Sequence, residues 1–185
     1  MKKRTGTVAA VLVIACLVIG LYMYINQAAQ KQTEGKRTLA TTLLSRDLSK
    51  DYPPTPYAAV ELYCKTVEAM YNAETKPEQI EQLIQMQYRL FDAEFAAINP
   101  LNTLTETTKN ELEKNKSNNL VLTGFAVDRS TNVEKWTEKD GKNYASLKAV
   151  FSMRNKKGSG DSVRLFTLRE DENGRMKILG WKILD

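Results

Sequence analysis

The sequence predicts an α+β protein: an N-terminal transmembrane helix, then two to three helices, then an antiparallel β-sheet. Three observations predict it. Residues 8–25 form an unbroken apolar run without a charge. Between Thr55 and Lys114 apolar residues recur every three or four positions, the period of one helix face. From Leu120 onward the period falls to two, and Asp140-Gly141 and Asn173-Gly174 punctuate it as hairpin turns.

The N-terminal run follows Met1-Lys2-Lys3-Arg4. Its 18 residues would span roughly 27 Å as a helix, close to a hydrocarbon core of about 30 Å. Val8, Leu12, Cys16, Ile19 and Ile25 are assigned to the span, and Tyr22 and Tyr24 sit near its far end, where aromatic rings favour the interface. An uncleaved signal-anchor fits best. A cleaved signal peptide is the second reading, but the apolar core is long for one and no small-residue cleavage site follows it. A lipoprotein signal is the third, because Val13-Ile14-Ala15-Cys16 resembles a lipobox, although nine more apolar residues follow Cys16. The basic tip places the N-terminus in the cytoplasm and the body outside, as a single-pass protein of the cell membrane. The expected organisation is therefore a cytoplasmic tip and anchor over 1–25, a juxtamembrane linker with a short amphipathic helix over 26–50, and an extracytoplasmic domain over 51–185.

In that linker Leu39, Leu43, Leu44 and Leu48 mark the short helix, which could dock on the domain or lie near the bilayer. Tyr52-Pro53-Pro54 forces an extended stretch. Thr55 then caps a helix with Pro56 in its first position, and Val60, Tyr63, Cys64, Val67, Met70 and Tyr71 form its buried face. A second helix opens at Pro77, carries Ile80, Leu83, Ile84, Leu90, Phe91, Phe95 and Ile98, and ends at Asn99-Pro100. A weaker third runs from Thr105 to Lys114. The first strand covers Leu120 to Val127, and Val133 to Thr137 continues it after a break. Tyr144 to Met153 alternates cleanly, with Ala145, Leu147, Ala149, Phe151 and Met153 on one face. A loop is expected from Asn155 to Gly160, then a strand over Val163 to Arg169 whose inward face the pattern leaves open. The closing strand, Met176 to Leu184, has apolar residues on both faces and reads as buried on both sides or central.

Composition excludes several functions. The chain has 185 residues and no histidine, which removes the Ser-His-Asp triad, the Cys-His dyad and histidine-ligated metals. Cys64 is the only cysteine outside the anchor, so the body holds no disulfide, and packing is the expected role of that thiol. The net charge is +5, but three of those charges lie in the N-terminal tip. The densest basic spot, Lys156-Lys157, reads as a solvated loop, and no nucleic-acid partner is expected. No Walker loop, dinucleotide fingerprint or metal cluster occurs, so no cofactor is expected.

Helices followed by an antiparallel meander, closing on Gly174-Arg175-Met176-Lys177-Ile178-Leu179-Gly180-Trp181-Lys182-Ile183, resemble the nuclear-transport-factor-2-like superfamily of cystatin-like cone domains. Leu48 to Tyr57 and this ending are also similar to a family of uncharacterised membrane-anchored proteins from Gram-positive bacteria. The resemblance implies a curved sheet wrapping a helix around a pocket, a cone fold that serves enzymes, ligand binders and assembly modules alike. Tyr63, Val67, Phe91, Phe95, Leu147, Phe151 and Trp181 are the candidate pocket or core residues, and no residue is assigned a catalytic role. The expected function is a non-catalytic, membrane-tethered binding or assembly module for a protein partner or a small apolar ligand, with a homodimer left open. The alternative is a lyase- or isomerase-type enzyme using a Tyr–carboxylate pair, for which ketosteroid isomerase is the known example.

Overall fold

The computed structural model describes residues 38–139 and 141–184. The anticipated membrane span, with Val8, Leu12, Cys16, Ile19 and Ile25, lies outside them. Among the described residues no helix is long and apolar enough to cross a membrane. The architecture is α+β, with five α-helices packed with an open five-stranded antiparallel sheet.

Helix α1 (Leu39–Leu44) starts where the Thr38 hydroxyl accepts the Thr41 N–H at 3.2 Å. It docks on the domain, one of the two placements anticipated for it. Ala40, Leu43 and Leu48 are buried in the common core, so the compact unit begins at Thr38 and not at the expected residue 51. Three apolar side chains gain more from that core than from water. Tyr52 fastens the extended stretch that follows by donating its hydroxyl to the Met176 carbonyl.

Helix α2 (Pro56–Tyr71) has the anticipated cap, with Thr55 Oγ1 accepting the Ala58 N–H at 3.1 Å. It packs on β1, β3 and β5 with one side and on α1 and α3 with the other. Burial therefore extends beyond the predicted stripe to Ala59, Leu62 and Ala69. Helix α3 (Pro77–Tyr88) opens at its proline as expected, but it does not continue to Ile98. The chain breaks at Arg89–Asp92 and resumes as α4 (Ala93–Ile98). In the break, Ile178 donates its N–H to Leu90 O and Asp92 donates its N–H to Ile178 O, each at 2.8 Å. Leu90 and Phe91 are both buried, and an extended segment can turn adjacent side chains to opposite sides, which a helix cannot. Asp92 then caps α4 by accepting the Glu94 N–H. Helix α5 (Leu101–Ser117) is longer than the predicted Thr105 to Lys114. Lys114 and Lys116 complement the dipole of its last turn.

The strands are β1 (Val121–Val127), β2 (Glu134–Thr137), β3 (Asn143–Asn155), β4 (Gly158–Glu170) and β5 (Met176–Leu184). Both β1 and β2 pair with β3, in the continuation expected across the break. The order is then β3, β4, β5. The anticipated loop at Asn155 to Gly160 is instead a two-residue turn, Lys156-Lys157, because Asn155 pairs with Gly158. At the other two hairpins Gly141 and Gly174 adopt φ of 78° and 71°, which only glycine enters without strain. The N–H of Gly174 bonds to Asp171 O and that of Asp171 to Arg175 O, a three-residue loop ending in a glycine bulge. Glu138, Gly141 and Lys142 repeat this bonding.

Strand β5 is neither central nor buried on both sides. It is an edge strand, covered on its free side by the bridge between Phe91 and Ile178. Its double apolar pattern has another cause. Leu168 pairs with Ile178, but Thr167 pairs with Gly180, so one extra residue bulges at Leu179. The bulge inverts the alternation and puts Ile178 and Trp181 on the same face. Ile183 is 64% exposed.

Candidate functional site

The inward face of β4, which the pattern left open, carries Arg164, Phe166 and Leu168. Phe166 and Leu168 are fully buried, and their partners across the sheet are Leu147 and Ala145 on β3, with Trp181 and Ile178 on β5. Tyr63 of α2 lies on this surface, its ring 5.4 Å from Phe166 and 5.3 Å from Trp181 between centroids. Phe91 and Phe95 extend the cluster, 4.8 Å apart, and Phe95 stands edge-on to Trp181 at 5.2 Å.

Beside this cluster opens a cleft of about 170 Å³. Arg164, Trp181 and Phe91 form its sheet side, α2 contributes Tyr63, Val67, Met70 and Tyr71, and α5 contributes Leu104, Thr108, Glu111 and Leu112. Of the anticipated pocket residues, Tyr63, Val67, Phe91 and Trp181 line it. Phe95 packs edge-on against Trp181 in the aromatic cluster, while Leu147 and Phe151 are core, each 2% exposed. A second, shallower hollow of about 410 Å³ lies at the β3–β4 turn. Its Asn155 and Asp161 side chains are occupied by Lys157 and Ser152 of the same hairpin, so the cleft is the better candidate.

The polar groups around the cleft are few and mostly held. Gln87 of α3 donates to Thr66 Oγ1 at 2.8 Å, and Thr66 donates in turn to the Tyr63 carbonyl at 2.6 Å. The Asn115 amide donates to the Tyr71 hydroxyl, tying α5 to α2. Burial pushes the Tyr63 phenol well above its ordinary value, against the opposing pull of Arg164. Burial likewise raises the Cys64 thiol, in keeping with a packing role.

Arg164 is the residue that sequence reasoning missed. Its guanidinium carbon lies 4.8 Å from the Phe151 ring centroid and 5.9 Å from that of Trp181. It takes part in none of the ion pairs among the described residues. Its Nε is buried without a hydrogen-bond partner. Had the bulge at Leu179 been legible, the pairing of Trp181 with Phe166 would have turned Arg164 inward with it.

Asp92 is the buried acid among the described residues, at 5% exposure. Burial alone would raise its carboxyl, but hydrogen bonds from Arg169 and the Glu94 amide outweigh that and hold it below its ordinary value. It caps α4 and forms a buried ion pair with Arg169. Among the described residues no group of three or more Cys, Asp or Glu could hold a metal ion.

No curated protein matches the chain. A family profile described as a domain of unknown function (DUF6715) matches residues 1–181, and the chain belongs to that family.

Proposed function

We propose that this chain is a non-catalytic binding module that takes a small apolar ligand in the cleft between α2, α5 and the sheet. It is tethered to the cell membrane by the span at 8–25, with its N-terminus inside and the domain outside. The observation that carries the reading is the cleft itself: aromatic and aliphatic walls with a few convergent polar groups, the usual make-up of a ligand site. A helix laid across one face of an antiparallel meander, with bulges in β1 and β5 that bend such strands, supports a nuclear-transport-factor-2-like cone.

The enzyme reading would need Glu111 to act with Tyr63 or Tyr71, since Glu111 is the acid lining the cleft. Glu111 is exposed and hydrogen-bonded to neither tyrosine, so binding is favoured. The test is native mass spectrometry of the full chain purified from native membranes, paired with protease treatment of intact cells. A retained small molecule and a domain digested from outside are expected. An empty protein together with a protected domain would overturn the proposal.

A further inference from the structure

We infer that the cleft selects an organic acid, an apolar body carrying one carboxylate, and that Arg164 is the group that reads the carboxylate. The inference rests on the binding reading above and names the chemistry of its ligand.

A guanidinium carries five N–H donors and is never neutral in a protein. Its burial is costly unless those donors and the charge find partners. Arg164 finds few. Its polar neighbour is the Tyr63 phenol, and one oxygen cannot take five donors. The rings of Phe151 and Trp181 stabilise the charge but leave the donors unbonded. Among the described residues no carboxylate lies within 4.0 Å, and Nε has no hydrogen-bond partner. A planar carboxylate accepts two parallel bonds from such a fork.

The surroundings set the rest of the ligand. Val67, Met70, Leu104 and Leu112 offer only apolar contact. A cavity of about 150 Å³ holds benzene, so a cleft of about 170 Å³ suits one ring or a short alkyl chain. Glu111 is the opposing charge on the cleft wall. It disfavours a second negative group there, which limits the ligand to one.

The test is calorimetric titration of the full chain in phosphatidylcholine nanodiscs with phenylacetate and its neutral isostere phenylacetamide. The acid should bind at least about tenfold more tightly, the size of one charge-assisted bond. Arg164→Met should erase that preference while amide binding persists, and Arg164→Lys should keep part of it. Glu111→Gln should tighten acid binding a few-fold. Equal affinity for acid and amide in the unmodified chain would overturn the inference and leave the apolar cleft standing. Binding of neither probe would overturn both readings. Should Arg164→Met fail to fold, the acid-to-amide ratio of the unmodified chain and of Arg164→Lys decides.

Discussion

Two arginines on one strand have opposite fates. Arg169 on β4 reaches Asp92 through Nε at 3.0 Å and through a second nitrogen, and it also pairs with Glu94 at 2.9 Å. Arg164, five residues earlier on the strand, lines the cleft and makes no ion pair among the described residues. The first is a staple. It ties β4 to the capped start of α4 and so holds the chain break at Leu90–Asp92 against the sheet. The second keeps its charge in reserve. Arg164 is half-buried, and its dry, unpartnered Nε adds nothing to the fold.

The largest expected effect tests the staple. Asp92→Ala removes a buried carboxylate, leaves Arg169 without its main partner and uncaps α4. Urea unfolding should show a loss of about 3 kcal/mol or more. A loss under about 1 kcal/mol would mean that the two arginines differ less than their geometry suggests. Next comes a neutral polar pair beside the cleft. Thr66→Val deletes the acceptor of Gln87 and strands a buried amide, which should cost about 1–3 kcal/mol in the same assay.

The pH dependence follows the sign of the Asp92 shift. Its folded-state carboxyl lies below the ordinary 3.8. Its contribution is therefore complete above that value and is lost as pH falls through the folded-state value. Asp92→Asn should flatten the acid limb of the stability curve without adding a new one at neutral pH. An acid limb identical in both proteins would assign the shift elsewhere. The smallest effect is expected at Arg164. Arg164 is half-buried and makes no ion pair among the described residues, and an apolar side chain of similar length keeps its packing, so Arg164→Met should change unfolding free energy by no more than about 1 kcal/mol. A large loss there would make Arg164 a second staple and break the comparison.

Much of the fold was legible in local chemistry. Thr55-Pro56 and Pro77 start helices where capping rules place them, and the alternation from Ala145 to Phe151 is the observed core face of β3. Gly141 and Gly174 sit in the turns. The misread elements share one feature: a partner distant in the chain decides them. Leu90 and Phe91 continue a helical stripe on paper, yet the free edge of β5 offered two backbone bonds at Ile178 and the helix gave way. Leu39 to Leu48 looked like a linker because its apolar residues are few, but the core they complete is built by α2 and α3. The candidate site was half legible. Tyr63, Val67, Phe91 and Trp181 are large apolar residues on predicted inward faces, whereas Arg164 looks like any solvated strand arginine.

By itself the sequence determined that helices precede the strands, where α2 and α3 start, where two of the hairpins turn and which residues of β3 point inward. Those depend on periods of 3.6 and two and on the backbone preferences of Pro and Gly, all of which act within a few residues. Only the tertiary structure decided the inward face of β4, the bulge that turns Trp181 beside Phe166, and the separate fates of Arg164 and Arg169. A strand with apolar residues on both faces has two registers of nearly equal local energy, and packing against α2 selects between them.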